Sequence, residues 1–316
     1  MRLVFLGTPA FAVPTLERVL EAGHRVEEVY TQPDRPKGRG GQLAISPVKE
    51  AALHLGLPVH QPPRIRRPEI VEELRALEAE AMVVVGYGQI IPQTIIDLPR
   101  FGILNVHGSL LPKYRGAAPL QWAIANGETV TGVTTMRIDA GLDTGNMLLN
   151  FETAIGAGET AVELGERLAQ AGADLLVETL GGLERGTITP RPQNGAEATL
   201  APILTKEDGR IDWNWPAAKI HNRMRGFQPW PGAYTTFRGQ LLHIWKARPR
   251  ADDLGGPGKL GTYGKLVLVA CGSGTSLELS EVQLEGRKRI AAQAFANGHR
   301  FAGNEMLGGE ARFREK

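Results

Sequence analysis

Hydrophobic and polar positions follow two regimes along the chain. As far as about residue 185, short apolar runs alternate with stretches whose apolar residues recur at helical spacing. Arg2–Leu6 predicts a strand, and Pro14–Ala22 carries Leu16, Val19 and Leu20 at helix period until Gly23 ends it. Arg25–Thr31 predicts a second strand. Ser46 ahead of Pro47 places a capping side chain before a proline at the first helical position, which opens a helix to about Leu55. Val59–Gln61 is short and extended, and Pro68 starts a helix to Leu77. Met82–Val85 is the unbroken apolar run of a parallel strand buried on both faces. Gly102–His107 and Val130–Ile138 predict two more strands. Thr160 and Glu163 form a capping box at the head of a helix to about Glu184. This alternation predicts an α/β fold, a Rossmann-like, doubly wound and mostly parallel sheet.

The second regime begins after a stretch rich in proline and small polar residues, Pro190, Pro192, Asn194, Gly195 and Pro202, which predicts a surface linker. The expected division is a catalytic domain at 1–188, a linker at 189–203 and a second domain at 204–316. Past a helix at Pro216–Arg225 come five short strands, Ala233–Phe237, Gln240–Trp245, Gly258–Tyr263, Lys265–Ala270 and Ser276–Val282. Glycine-rich turns punctuate them, and a helix at Ala291–Ala296 follows. Five such strands predict a small C-terminal β-barrel of the OB-like type.

Composition narrows the classes. With 42% hydrophobic and 22% charged residues, the 316-residue chain has the make-up of a soluble globular protein. No stretch approaches the roughly 20 apolar residues of a spanning helix, and Gly7 and Pro9 interrupt the apolar start before it reaches export-signal length. No membrane association is expected. The single cysteine, Cys271, rules out an intramolecular disulfide and a Cys-rich zinc site, which suits a reducing cytoplasm. The net charge of +2 hides an asymmetry. Residues 201–316 hold eighteen Lys and Arg against eleven Asp and Glu, so a polyanionic partner is expected for that part.

The chemistry concentrates in Asn105–Pro112 and Gly141–Gly145. Asn105 and His107 are two apart on a predicted strand and point to one side of it. Asp143 stands in a loop framed by two glycines, where the backbone can bend to bring a carboxylate back to the imidazole. An amide donor, a titrating ring and a carboxylate suit transfer of a one-carbon acyl group, with the amide on the oxyanion and the other two handling protons. Which of His107 and Asp143 is the base stays open at this level. The turn Gly7–Ala12 lacks the G-x-G-x-x-G spacing, and Pro9 removes a donor. No nicotinamide or flavin dinucleotide is therefore expected; no Gly-Lys-Ser/Thr occurs, so no nucleotide triphosphate is expected either, and no metal is.

Gly7–Ala12, Thr31–Gly40, Tyr87-Gly88, Asn105–Pro112, Arg115–Pro119, Gly141–Gly145 and Pro229–Pro231 together resemble the 10-formyltetrahydrofolate-dependent formyltransferases. The likeness spans essentially the whole chain. It implies 10-formyltetrahydrofolate as co-substrate, Asn105, His107 and Asp143 as catalytic residues, and folate contacts from Ser109, Leu110, Leu111 and Pro112. Tyr87, Gly88, Gln89, Ile90 and Ile91 would line the pterin pocket by the same resemblance. The basic loop Asp34–Gly40 narrows the implied acceptor to initiator methionyl-tRNA, with Arg35, Lys37 and Arg39 closing on it. Arg223, Arg225, Arg287, Lys288 and Arg289 would hold phosphates, each contact being salt-sensitive. Trp213, Trp215 and Trp230 are expected as core anchors and the protein as a monomer. The rivals are an amino-sugar formyltransferase, which would not need the basic loop, a 10-formyltetrahydrofolate hydrolase, and a non-catalytic RNA-binding protein.

Overall fold

The computed structural model describes residues 1–37 and 42–309. They fall into two compact units. One comprises Met1–Pro119, Val130–Ala154 and Glu163–Pro202; the other comprises Leu120–Thr129, Ile155–Val162 and the chain from Ile203 on.

The strands of the first unit are β1 (Arg2–Gly7), β2 (Arg25–Tyr30), β3 (Arg35–Lys37), β4 (Gln42–Ala44), β5 (Val59–His60), β6 (Ala81–Val85), β7 (Ile103–His107), β8 (Val130–Arg137) and β9 (Met147–Ala154). Helices α1 (Val13–Glu21), α2 (Pro47–His54), α3 (Pro68–Ala76) and α4 (Gln93–Ile96) connect them, α5 (Pro119–Ala125) follows β7, and α6 (Ala161–Glu184) follows β9. Ser46 caps α2 as its sequence predicts, accepting the Lys49 N–H at 3.0 Å.

The main sheet has the order β5-β2-β1-β6-β7-β8-β9. It is parallel from β5 to β7, and β8 and β9 run antiparallel. The chain moves outward from β1 to β5 and then returns to β6 on the other side of β1. A reversal of this kind, at the carboxyl ends of the central strands, is where open α/β sheets place their ligand crevices. Every residue of β6 and β7 is buried, which explains the continuous apolar run of β6, while β7 buries Asn105 and His107 among its apolar residues. The core gathers Leu6, Tyr30, Ile65, Met82, Tyr87 and Ile103. Among the described residues, strand β3 pairs only with β4, apart from the main sheet, at the start of the basic loop. Among the described residues no helix is long and apolar enough to cross a membrane.

In the second unit α7 (Ala217–Gly226) precedes β10 (Tyr234–Phe237), β11 (Gln240–Arg250), β12 (Leu260–Tyr263), β13 (Leu266–Cys271), β14 (Thr275–Leu284) and β15 (Ile290–Ala291), and α8 (Ala292–His299) closes the series. These strands form one antiparallel sheet, β10-β11-β14-β13-β12, with β15 on β14. Leu307 bridges Phe237 of β10, and the adjacent Met306 bridges Lys259 just before β12. The core contains Trp213, Phe237, Leu242, Val269, Leu277 and Phe295. Trp213 fills the expected role, donating its indole N–H to Thr235 at 3.0 Å, and Trp215 packs at the edge of the same core. Trp230 does not: it is 57% exposed.

Candidate active site

Asn105 and His107 project from the same side of β7, and both are buried. The Asp143 carboxylate reaches them. Its Oδ1 accepts the Asn105 Nδ2 hydrogen at 3.3 Å, and its Oδ2 lies 3.7 Å from His107 Nδ1. The register shows from which edge of the sheet the Asp143 loop leaves. Because β8 is antiparallel to β7, Arg137 pairs with Leu104 and Thr134 with His107. The Asp143 loop therefore leaves the sheet at the end opposite His107. It folds back over the face that Asn105 and His107 share.

Three features make that return possible. Asp143 adopts φ +50°, a left-handed conformation uncommon for a residue with a side chain. Gly145 passes so close to the Arg137 carbonyl that a Cβ would sit 1.9 Å from its oxygen. Asp139 ties the loop by accepting from Gly141 N–H at 3.1 Å and the Thr144 hydroxyl at 2.7 Å.

The ring of His107 is oriented by the turn that follows it. Its Nε2 lies 2.9 Å from the carbonyl oxygen of Tyr114. A carbonyl can only accept, so the proton sits on Nε2. In the neutral ring Nδ1 is then unprotonated, and it is the nitrogen that faces Asp143. The turn is built to present that carbonyl. Ser109 donates its hydroxyl to Lys113 O at 2.6 Å, Thr134 of β8 donates to Ser109 O at 2.7 Å, and Thr134 Oγ1 accepts Leu111 N–H at 3.2 Å. Leu111-Pro112 is cis, and Tyr114 has φ +61°. Gly116 then gives its N–H to Asp143 Oδ2 at 2.9 Å. A side chain at Gly116 would collide with Ala201 O, at 2.7 Å from its Cβ.

Sequence periodicity misses the residues that brace this arrangement. The stretch that reads as a linker is bonded along its length. Met147 and Arg191 exchange backbone bonds of 2.8 Å, Thr199 Oγ1 accepts Tyr114 N–H at 2.8 Å, and Ala201 N–H bonds Arg115 O at 2.7 Å. Gln193 donates to the carbonyls of Asp143 and Gly145, both at 2.8 Å. No apolar pattern marks such residues, because their contacts are polar and lie some fifty to eighty-five positions away.

The segment expected to line the pterin pocket divides at its side chains. Tyr87 and Ile91 belong to the core, at 1% and 8% exposure, because the apolar run of β6 continues inward past its end. Burial pushes the Tyr87 phenol above its ordinary range. Its backbone carbonyl accepts Thr8 Oγ1 at 3.1 Å and Gln32 Nε2 at 3.0 Å. Gln89 spends its amide on Ile65 N–H and Pro62 O. Gly88 takes φ +83°, and Ile90 alone of the two isoleucines is open, at 90% exposure.

The basic residues divide sharply. Arg35 is exposed on β3, only the backbone of Lys37 is described, and Arg39 lies outside the described residues. The root of that loop is fixed by Asp34, which receives Lys49 Nζ at 2.5 Å and Gln61 Nε2 at 2.8 Å. The Lys49 hydrogen bond, followed by that of Gln61, holds the Asp34 carboxyl below the usual range. Arg287 and Lys288 are exposed, while Arg289 lies 3.8 Å over the Trp245 ring and pairs with Glu281. Arg225 corrects an expectation. It is 7% exposed, and its guanidinium donates to Gly156 O and Glu159 O, each at 3.0 Å, so it is not free for a phosphate. Arg223 is half-buried among the rings of Trp122, Trp215 and Phe227 and donates to Asp208 O at 3.0 Å. Both occupy the last turn of α7, where charge alone suggested solvent. Among the described residues no group of His, Cys, Asp and Glu is placed to hold a metal ion.

Comparison with known proteins agrees with the geometry. Residues 1–180 match the formyl transferase family, and residues 203–300 match the formyl transferase C-terminal domain. A methionyl-tRNA formyltransferase of Solibacter usitatus is 67% identical over 98% of this chain and 99% of its own. One of Koribacter versatilis is 59% identical over 98% of this chain and 99% of its own. Among solved structures, an N-formyltransferase of Helicobacter canadensis in complex with folinic acid and dTDP-3-aminofucose shares the fold at TM-score 0.67 and 20% identity, covering 88% of this chain and 98% of that one. HypX of Aquifex aeolicus in complex with tetrahydrofolic acid does so at TM-score 0.63 and 18% identity, over 94% of this chain and 47% of that one.

Proposed function

The chain belongs to the formyl transferase family, and from that premise we propose that it transfers the formyl group of 10-formyltetrahydrofolate to the free amino group of initiator methionyl-tRNA. The observation that carries the reading is the meeting of Asn105, His107 and Asp143 at one point over β7. The donor set fits the co-substrate. An amide keeps one hydrogen to give, a ring nitrogen faces the site, and a carboxylate stands between them. 10-Formyltetrahydrofolate supplies an activated formyl carbon attached to nitrogen.

Asn105 uses one amide hydrogen on Asp143 and turns the other to the formyl oxygen, where negative charge develops as the amine attacks. A donor in such a position contributes about 3–4 kcal/mol. His107 is fixed at Nε2 by the Tyr114 carbonyl, so Nδ1 is the ring position that gives or takes a proton. Asp143 Oδ2 shares that proton and receives one from the attacking amine, directly or through a water. Ser109–Pro112 offers backbone to the folate, and Ile90 offers apolar surface at the crevice edge. The amine's proton passes to the His107–Asp143 pair, and the pair returns a proton from His107 Nδ1 to the folate nitrogen as its bond to the formyl carbon breaks.

The second unit is read as an RNA-binding barrel of the OB-like type. The bridges from Met306 and Leu307 to Lys259 and Phe237 support closure of its sheet. Catalytic work lies in residues 1–188, with RNA contacts in 204–316 and in the basic loop at Arg35, Lys37 and Arg39. The enzyme acts as a cytoplasmic monomer. The test is incubation of the purified protein with 10-formyltetrahydrofolate and either charged initiator tRNA or a nucleotide-linked amino sugar. Formyl-methionyl-tRNA is the expected product. Formylation of the sugar alone, or release of formate alone, overturns the proposal.

A further inference from the structure

We infer that Gln193 is a positioning residue for Asp143, with Arg115 holding Gln193 in turn; the inference rests on the catalytic reading of Asp143 above. The orientation of the Gln193 amide follows from its neighbours. Arg115 Nε and Nη2 approach Oε1 at 3.0 and 2.7 Å, and a guanidinium can only donate. The carbonyls of Asp143 and Gly145 approach Nε2 at 2.8 Å each, and they can only accept. Every hydrogen-bonding position of the side chain is used. A carboxylate there could not donate to the carbonyls, and an ammonium could not accept from Arg115.

The two carbonyls belong to the part of the loop that most needs support. They flank Thr144, directly after the left-handed Asp143, in the segment that doubles back over β7. Arg115 is followed by Gly116, whose N–H meets the Asp143 carboxylate at 2.9 Å. One short segment therefore grips Asp143 twice. It holds the backbone through Gln193 and the side chain through Gly116. Gln193 contributes no atom to the reacting groups, because both of its hydrogens are committed.

The test uses Gln193→Glu and Gln193→Met in the full-length enzyme. Glutamate keeps the volume and the Arg115 contact but turns negative charge toward two carbonyl oxygens. Methionine keeps the length and removes all polar contact. Both should lower kcat by about 100-fold, the scale of a reactive group displaced by roughly an ångström. The KM values for 10-formyltetrahydrofolate and for charged initiator tRNA should stay within about threefold, since neither substrate touches Gln193. The Gly116 amide reports the loop without turnover: in ¹⁵N-resolved spectra its resonance should move in both variants and its exchange should quicken. Wild-type kcat with an unmoved Gly116 signal in either folded variant overturns the inference, as does a lowered melting temperature with kcat intact. Asp143→Asn is run beside them. If it keeps full kcat, the catalytic reading of Asp143 fails, while the Gly116 signal still decides whether Gln193 holds the loop.

Discussion

At the scale of single residues, two side chains converge on one carboxylate: Asn105 donates to Asp143 at 3.3 Å, and His107 Nδ1 lies 3.7 Å from it, so the proposed chemistry treats the three as one unit. Asn105→Ala should cost about 10²–10³ in kcat, the loss expected for an oxyanion donor. His107→Ala and Asp143→Ala should cost at least as much, and pairs of these changes little more than one, because the groups act together. Single-turnover rates measure this, and a double variant as slow as the product of its singles would separate the residues into independent roles. Arg225 carries the opposite expectation. Its guanidinium satisfies two carbonyls in a buried setting, so Arg225→Ala should destabilise the protein by about 2–3 kcal/mol. The tRNA affinity of the folded protein should not change. Denaturant midpoints and filter binding on one preparation separate the two effects.

At the scale of elements, the cross-strand triad between β11 and β14 gives a pH-dependent contribution. Glu278 accepts from Arg248 at 2.8 Å and from Arg250 at 3.1 Å. The Arg248 hydrogen bond is the main cause holding its carboxyl below the ordinary glutamate value of 4.5. A carboxylate with a depressed folded pKa stabilises fully above its unfolded pKa, and that stabilisation disappears as pH falls through the folded value. Glu278→Gln should therefore lower the melting temperature at pH 7 and at pH 5.5, with the gap closing below about pH 4.5. A gap that persists unchanged at pH 3 would assign the loss to packing. Most elements were legible in sequence to within a residue or two, since β6 is apolar throughout, β1 is apolar from Leu3 to Leu6, and α2 carries its cap in Ser46-Pro47. Strand β9 was not, because it forms the open edge of the sheet and exposes Asn150, Phe151 and Glu152 in succession, with no alternation to read. Strand β11 runs five residues past Trp245 for a similar reason. Its charged end, Lys246–Arg250, is satisfied by ion pairs to Glu278 and Glu281 instead of by burial. The convergence of Asn105, His107 and Asp143 over β7 was legible because strand alternation and a glycine-framed loop are local signals. Gln193 and Thr199 were not, since a surface strap held by polar bonds leaves no periodic trace.

At the scale of the molecule, the charge asymmetry becomes a statement about salt. The C-terminal part holds the excess of Lys and Arg, and Arg287 and Lys288 are exposed beside a hollow that they line with Gln240, Phe295 and His299. Removing both charges should weaken tRNA binding modestly at low salt. It should flatten the logarithmic salt dependence by roughly one unit per lost contact. Turnover with saturating tRNA should stay near wild type. An unchanged slope would place the polyanion on another face.

The strap from Arg191 to Ala201 also sets an order of events during synthesis. A ribosome making this chain delivers Asn105, His107 and Asp143 well before Gln193, Thr199 and Ala201, which grip the loops on either side of them. Units fold as they emerge, so a nascent chain that stops short of the strap carries these three side chains without their brace. On the proposed reading, competence for chemistry is thus acquired late in the making of the first unit, when its last segment closes over its middle.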